Sequence, residues 1–194
     1  MKLYLKGTRC ETAKCAMERQ WRSQPPGMHA FRRRGKPSEY AVRLREKQKL
    51  RRYYGVLERQ FRRIFQEAAR ATNTGEALLI LMERRLDNVV YRLGFAPSRA
   101  AARQIVDHGH ILLNGKRVTI PSIQVTPGDR IQLRGRDATK ALVQANLETA
   151  SGRTPPRWLK LDTETLDATI ETMPTREDVS IQINEQLIVE FCSR

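Results

Sequence analysis

Residues 84–133 read RRLDNVVYRLGFAPSRAAARQIVDHGHILLNGKRVTIPSIQVTPGDRIQL. Leu86, Val89, Val90 and Leu93 fall on one helical stripe, and Gly94 ends it. Ser98 is placed as the N-cap of a second helix. Ala101, Ala102, Ile105 and Val106 supply its apolar side, and Gly109 closes it. Residues 111–113 form a short strand. Asn114-Gly115 is the strongest short hairpin signal, because both positions of a type I′ turn need positive φ. Residues 118–120 are the expected return strand. Pro127-Gly128-Asp129 turns the chain again before a strand at 131–133. The stretch predicts two helices joined to a small antiparallel sheet. Residues 84–136 hold ten Lys and Arg against three Asp. A fold this small and this cationic suits a polyanion.

Working outward, Ser38 is a second N-cap, with Glu39 in the first turn. That helix runs to Tyr54 and stops at Gly55. A helix over about 57–71 carries Phe61, Ile64, Phe65 and Ala68 at i, i+3, i+4, i+7. A third helical region spans 76–93, bent or split near Glu83. Asp137 caps a helix through about Ala150, ended by Gly152. Residues 158–161, 168–170 and 179–183 read as strands or extended pieces. Asn184 caps a last helix to Phe191, with a strand as the alternative. Residues 1–37, with Pro25-Pro26-Gly27 and Arg32-Arg33-Arg34-Gly35-Lys36-Pro37, show little periodicity and are expected to lie on a partner. The fold class is α+β: a helical domain at 38–83, completed by 137–194, with the cationic helix-turn-helix and small antiparallel sheet module at 84–136 set into it.

Charge separates the chain further. Residues 1–70 hold twenty basic and six acidic side chains, while 151–194 hold five and eight. A solvated surface explains mixed charge but not so one-sided an N-terminal half, which points to nucleic acid. Asp162, Glu164, Asp167 and Glu171 suit a protein partner better than a phosphate. The longest apolar run, 77–82, is far below the roughly 20 residues that span a bilayer. The N-terminus lacks the apolar region of a signal peptide. Three cysteines in no disulfide-like pattern fit a reducing cytosol.

Arg99 and Arg103 sit four apart on the helix capped by Ser98, on one predicted face. The N-terminus of that helix suits a phosphate. Lys116 and Arg117 follow the hairpin turn and widen the same surface, with His108 beside the turn that closes the helix. An Arg pair alone is usually a solvated face. Cap, Arg pair, Gly-ended helix, Asn-Gly hairpin and Pro-Gly-Asp turn within fifty residues form a specific combination. It resembles the small RNA-binding module of the bacterial small-subunit ribosomal protein four family, a module shared with some tRNA synthetases, pseudouridine synthases and heat-shock proteins. The flanks are similar to that ribosomal family too: KLYLKG at 2–7, PPGMH at 25–29, SEYAVRLREKQKLRRYYGVLERQFRRIF at 38–65, RLDNVVYRLGF at 85–95 and NEQLIVEFCSR at 184–194.

The resemblance implies a structural, non-enzymatic constituent of the small ribosomal subunit in the cytoplasm. It implies a primary rRNA binder that nucleates 5′-domain assembly, lines the channel by which mRNA enters, lies beside the third and fifth small-subunit proteins, and influences decoding accuracy through the fifth, by way of residues 172–194. Arg32, Arg33, Arg34 and Lys36 match the basic stretch facing incoming mRNA. Arg43, Arg45, Lys47, Lys49, Arg51, Arg52, Arg59, Arg62 and Arg63 would lie along rRNA. Tyr40, Tyr53 and Tyr54 either stack on unpaired bases or pack between helices. Arg85-Leu86-Asp87 looks like part of the synthase Gly-Arg-Leu-Asp motif, but Arg84 replaces its Gly, and only about sixty residues follow position 133. The recycling heat-shock proteins lack the long helical region at 38–71.

Cys10 and Cys15 have spacing within the range of structural zinc sites, which need four ligands. His29 is the only other soft ligand nearby, and Cys192 lies at the far end. Zinc-binding family members carry a further Cys-x-x-Cys upstream of the stretch matching 2–7. Either that pair is missing from this chain or the site is lost. The expectation is two reduced thiols and no cofactor.

Overall fold

In the computed structural model, residues 2–19, 27–28, 36–135, 137–149 and 154–193 are described. Helix α1 (Glu39–Tyr54) starts where predicted: Ser38 Oγ accepts the Ala41 N–H at 3.3 Å. It ends at Gly55, whose φ of 67° reverses the chain. Helix α2 (Glu58–Ala68) buries Phe61, Ile64 and Ala68, the stripe seen in the sequence. Helix α3 (Thr74–Glu83) takes its cap from the Asn73 side chain.

The helical region 76–93 is two helices, α3 and α4 (Leu86–Arg92). The break has a tertiary cause. Arg85 is extended and bridges Gln124. Leu86 N–H donates to the Ile123 carbonyl at 2.9 Å, and Val125 N–H to the Arg84 carbonyl at 3.0 Å. Helix hydrogen bonds are exchanged there for bonds to the loop before the third strand. The Arg85 guanidinium is buried and held by both oxygens of Asp87, at 3.1 and 2.7 Å.

Helix α5 (Arg99–Asp107) is capped by Ser98 Oγ, which accepts from Ala101 N at 3.2 Å. Strands β1 (Ile111–Leu113) and β2 (Lys116–Val118) flank the predicted turn, with φ of 52° at Asn114 and 77° at Gly115. The two-residue turn makes β2 begin at Lys116, two residues before the predicted return strand. β3 (Arg130–Leu133) follows.

The domain expectation changes here. Helix α6 (Asp137–Thr149), β4 (Leu159–Asp162) and β5 (Asp167–Ile170) are expected in the helical domain, but they join the module. The antiparallel sheet runs β2-β1-β3-β5-β4, with Ile131 opposite Ala168. β3 would otherwise be an unpaired edge, and β5 covers it. Leu86, Val106, Ile111, Ile131, Val143, Trp158 and Ile170 share one core. The second core joins Leu50, Phe61, Leu79 and Met82 to Val179, Ile181, Ile183 and Ile188. Residues 179–183 bury alternate side chains yet pair with no strand, because they lie against helices that offer no strand edge. Helix α7 (Glu185–Cys192), capped by Asn184, closes that core. The predicted helix wins over the strand alternative.

Candidate nucleic-acid interface

The predicted RNA-facing cations divide by direction. Arg43 meets Glu190 at 2.8 Å and Glu39 at 3.0 Å. Lys47 is buried, with Nζ 2.6 Å from Glu58, and Arg51 reaches the other Glu58 oxygen at 2.9 Å. Hydrogen bonding from Lys47 leads the effects that hold the Glu58 carboxyl below its ordinary range. Lys49 pairs with Glu46 at 3.1 Å and donates to the Gln182 carbonyl. To meet a phosphate, these four would each have to leave a carboxylate. Arg45, Arg52, Arg59, Arg62 and Arg63 are exposed, as is Lys36. Arg32, Arg33 and Arg34 lie outside the described residues.

The pair on α5 splits. Arg103 stays outward, 3.7 Å from Asp107. Arg99 turns inward. Its guanidinium carbon lies 3.9 Å from the Tyr53 ring centre, 4.5 Å from Tyr91 and 5.1 Å from Tyr54, while Nε donates to Asn88 Oδ1 at 2.8 Å. Side chains on a helix lean toward its N-terminus, so the first helical residue reaches back over the preceding turn. There three aromatic faces attract the cation. Equal spacing did not give equal surroundings. Tyr53 and Tyr54 therefore pack between helices, whereas Tyr40 is exposed and its ring lies 5.4 Å from Phe191.

Beside this cage Glu83 is fully buried. Its carboxylate accepts from Arg92 at 2.7 and 3.0 Å, from Tyr54 Oη at 2.6 Å and from Asn88 Nδ2 at 2.7 Å. Burial alone would raise this carboxyl, but the Arg92 guanidinium and the hydrogen bonds outweigh it, and Glu83 titrates below its usual range. Burial and the Glu83 charge push the Tyr54 phenol well up. Arg92 also donates to Ser180 Oγ at 3.3 Å and to the Asp178 carbonyl at 3.2 Å. The network ties α1, α3, α4, α5 and the 178–180 segment together, joining the helical domain to the module.

Past the C-terminal end of α5 a cleft of about 490 Å³ is lined by residues that include His108, His110, Arg117, Arg134 and Thr139. Lys116 and Arg117 are exposed on β2. The Arg117 guanidinium lies over Gly109, whose φ of 72° also favours glycine. Sequence reasoning missed Arg134. The one signal was strand register: Ile111 opposite Leu133 brings the next residue beside His110. Ser98 serves as a cap rather than projecting toward this surface.

Cys15 is buried, and Cys10 Sγ accepts the Lys6 N–H at 3.4 Å. Among the described residues no three His, Cys, Asp or Glu side chains group to hold a metal. Two thiols alone do not make a tetrahedral zinc site. No helix among the described residues is long and apolar enough to cross a membrane.

A fold that pairs some cations with carboxylates inside and leaves Arg45, Arg52, Arg59, Arg63, Lys116 and Arg117 exposed defines a polyanion-binding, structural class of protein. The comparisons make it particular. Residues 84–131 match the S4 domain, and residues 1–83 match the ribosomal protein S4/S9 N-terminal domain. The chain is 58% identical over 195 residues to small ribosomal subunit protein uS4 of Gloeobacter violaceus, covering 100% of this chain and 92% of that one. It is 54% identical to the same protein of Thermus thermophilus over the same shares, and 54% identical to that of Geotalea daltonii over 99% of this chain and 91% of that one. The chain belongs to the small ribosomal subunit protein uS4 family, which is structural and non-enzymatic. As a member it is an rRNA-binding small-subunit protein.

Proposed function

We propose that this chain nucleates assembly of the 5′ domain of small-subunit rRNA, lines the channel by which mRNA enters, and influences decoding accuracy through contact with the fifth small-subunit protein. The carrying observation is the sorting of charge. Exposed cations on α1, α2 and β2 offer two separated grips to one RNA, and the buried Glu83 network fixes the angle between them. A binder that holds two rRNA segments in one geometry lowers the entropic cost of folding their junction. Exposed Lys36 adds to the cationic surface, and Arg32-Arg33-Arg34 before it in the sequence supply further positive charge for a single strand. The exposed Glu171, Met173 and Glu177 give the C-terminal part an acidic, partly apolar face suited to a basic protein surface. The third small-subunit protein is the other neighbour at the mRNA channel.

Ordered addition during subunit reconstitution tests the first claim. The chain is expected to bind naked rRNA without other proteins and to protect a helical junction in the 5′ domain. A requirement for prior binding of other proteins would overturn it. Replacing Lys36 and Arg32–34 with Gln should leave rRNA affinity nearly unchanged while slowing translation into structured mRNA. Substituting Glu171 and Glu177 with Lys should raise misreading in a reporter assay, and unaltered misreading would remove the accuracy role.

A further inference from the structure

Backbone demand and chemical lability meet at one dipeptide of the hairpin. Of the five asparagines in the chain, Asn114 alone precedes a glycine. The turn needs positive φ at both positions, and the angles of 52° and 77° meet that need. A Cβ on Gly115 would touch nothing within 4 Å, so the backbone angle requires the glycine and crowding does not. Both residues are exposed to water. A glycine has no Cβ to shield its amide nitrogen, and that nitrogen can close on the carboxamide of the asparagine before it. The fold opposes this closure. Asn114 Oδ1 accepts the Arg130 N–H at 2.8 Å, and Nδ2 donates to Asp129 Oδ1 at 2.8 Å. The Asn114 N–H donates to the Arg130 carbonyl at 2.9 Å. Asp129 is itself fixed. Its Oδ2 accepts from Thr126 N at 2.6 Å and Thr126 Oγ1 at 3.0 Å, and its carbonyl accepts the Ile170 N–H at 3.1 Å. Both ends of the carboxamide are held toward the start of β3. For the Gly115 nitrogen to reach Asn114 Cγ, the side chain has to leave both partners.

We propose that Asn114-Gly115 is a self-deamidation site that the contacts with Asp129 and Arg130 keep closed in the folded chain. When the turn opens, the Gly115 amide gives its proton to hydroxide and its nitrogen attacks Asn114 Cγ. The new C–N bond forms as the Cγ–Nδ2 bond breaks, and the amide leaves as ammonia after taking a proton from water. Water then opens the cyclic imide at either carbonyl and leaves aspartate or isoaspartate. Overall a water enters and an ammonia departs, with nothing oxidised or reduced. Either product sets a carboxylate against Asp129, where an amide donor had been, and like charges facing each other destabilise a hairpin. Isoaspartate also lengthens the main chain between β1 and β2, whose pairing is set by a two-residue turn. The strand that loosens carries Lys116 and Arg117. The consequence for RNA rests on the rRNA-binding reading above; the site itself does not.

The test keeps the full chain at mildly alkaline pH, folded in buffer or unfolded in guanidinium. The peptide carrying Asn114 is followed by the mass change of –NH2 to –OH, and isoaspartate by enzymatic carboxyl methylation. The folded parent is expected to react about 25-fold more slowly than the unfolded chain, from roughly fivefold for each of the two side-chain hydrogen bonds that must open. Folded Asp129→Ala should recover roughly fivefold of that difference. Asp129→Asn keeps a carbonyl acceptor without the charge; it should fall between the two, and it takes the place of the alanine variant if that one unfolds. Folded and unfolded parent reacting at one rate would overturn the proposal, as would folded Asp129 variants that react no faster than the parent. Asn114→Asp carries the charge of the product. It should bind a small-subunit rRNA fragment more weakly than the parent at low salt, and the gap should close as salt rises. Equal binding of the two overturns the effect on RNA. No binding by either removes the rRNA reading, while the deamidation rates still decide the site.

Discussion

Glu83 shows what one buried carboxylate does here. It accepts four hydrogen bonds from three side chains, and its charge is what Arg92 requires in the same desolvated space. Replacing one member of a buried ion pair leaves the other uncompensated, so Glu83→Gln should cost about 3 kcal/mol in urea unfolding at neutral pH. The sign of its pH dependence follows from its lowered folded-state pKa. A depressed carboxylate stabilises the fold above its unfolded pKa, and that stability is lost as pH falls through the folded value. The parent should therefore lose stability progressively below about pH 4.5, the unfolded carboxylate range. Glu83→Gln should show a shallower acid limb in a pH series of denaturation midpoints. An acid limb of unchanged slope would mean other carboxylates carry it. Arg99 teaches a related point. Its cage of three tyrosines converts a residue that spacing assigns to solvent into a link between domains.

Helix α5 carries its own signals at both ends, and both are testable. Ser98→Ala removes the cap and should cost about 1 kcal/mol of thermal stability. Its RNA salt dependence should stay unchanged, since the hydroxyl is used on Ala101. Gly109→Ala should act twice. It strains a left-handed residue by about 1–2 kcal/mol, and it displaces the Arg117 guanidinium lying over it. Loss of one phosphate contact there should lower the log–log salt slope of rRNA binding by roughly 0.7–0.9, and an unchanged slope would take Arg117 off the RNA surface. Caps and turns of this kind are local chemistry, which is why Ser38, Gly55, Ser98, Asn114-Gly115 and Asn184 are all legible in the sequence. The split at Arg84-Arg85 is visible there only as a weak point, because its cause is a loop forty residues away. The fate of β4 and β5 is hidden for the same reason. A strand announces its own alternation but not the edge it will cover. Arg134 escapes a linear reading because it depends on register, whereas Arg117 does not, because it sits two residues from a turn.

At the scale of the whole chain, the excess of fifteen positive charges serves two ends. Arg43, Lys47, Lys49 and Arg51 hold α1 to α2, α7 and the 179–183 segment through Glu46, Glu58, Glu190 and the Gln182 carbonyl. Arg45, Arg52, Arg59 and Arg63 have exposed side chains and supply the outward field. Composition counts both sets alike, and only the fold separates them. Neutralisation separates them experimentally. Arg52→Gln with Arg59→Gln and Arg63→Gln should leave the urea midpoint almost unmoved, because exposed charges contribute about 0–1 kcal/mol each. The same triple variant should lower the salt slope of rRNA binding by roughly 0.7–0.9 for each phosphate that is no longer neutralised. Lys47→Met should do the reverse. It leaves Glu58 short of a partner within a half-buried cluster and lowers the urea midpoint, with no change in slope. If Lys47→Met lowers the slope and spares stability, the inward side chain leaves Glu58 for phosphate on binding. The α1–α2 surface would then have to rearrange on the RNA.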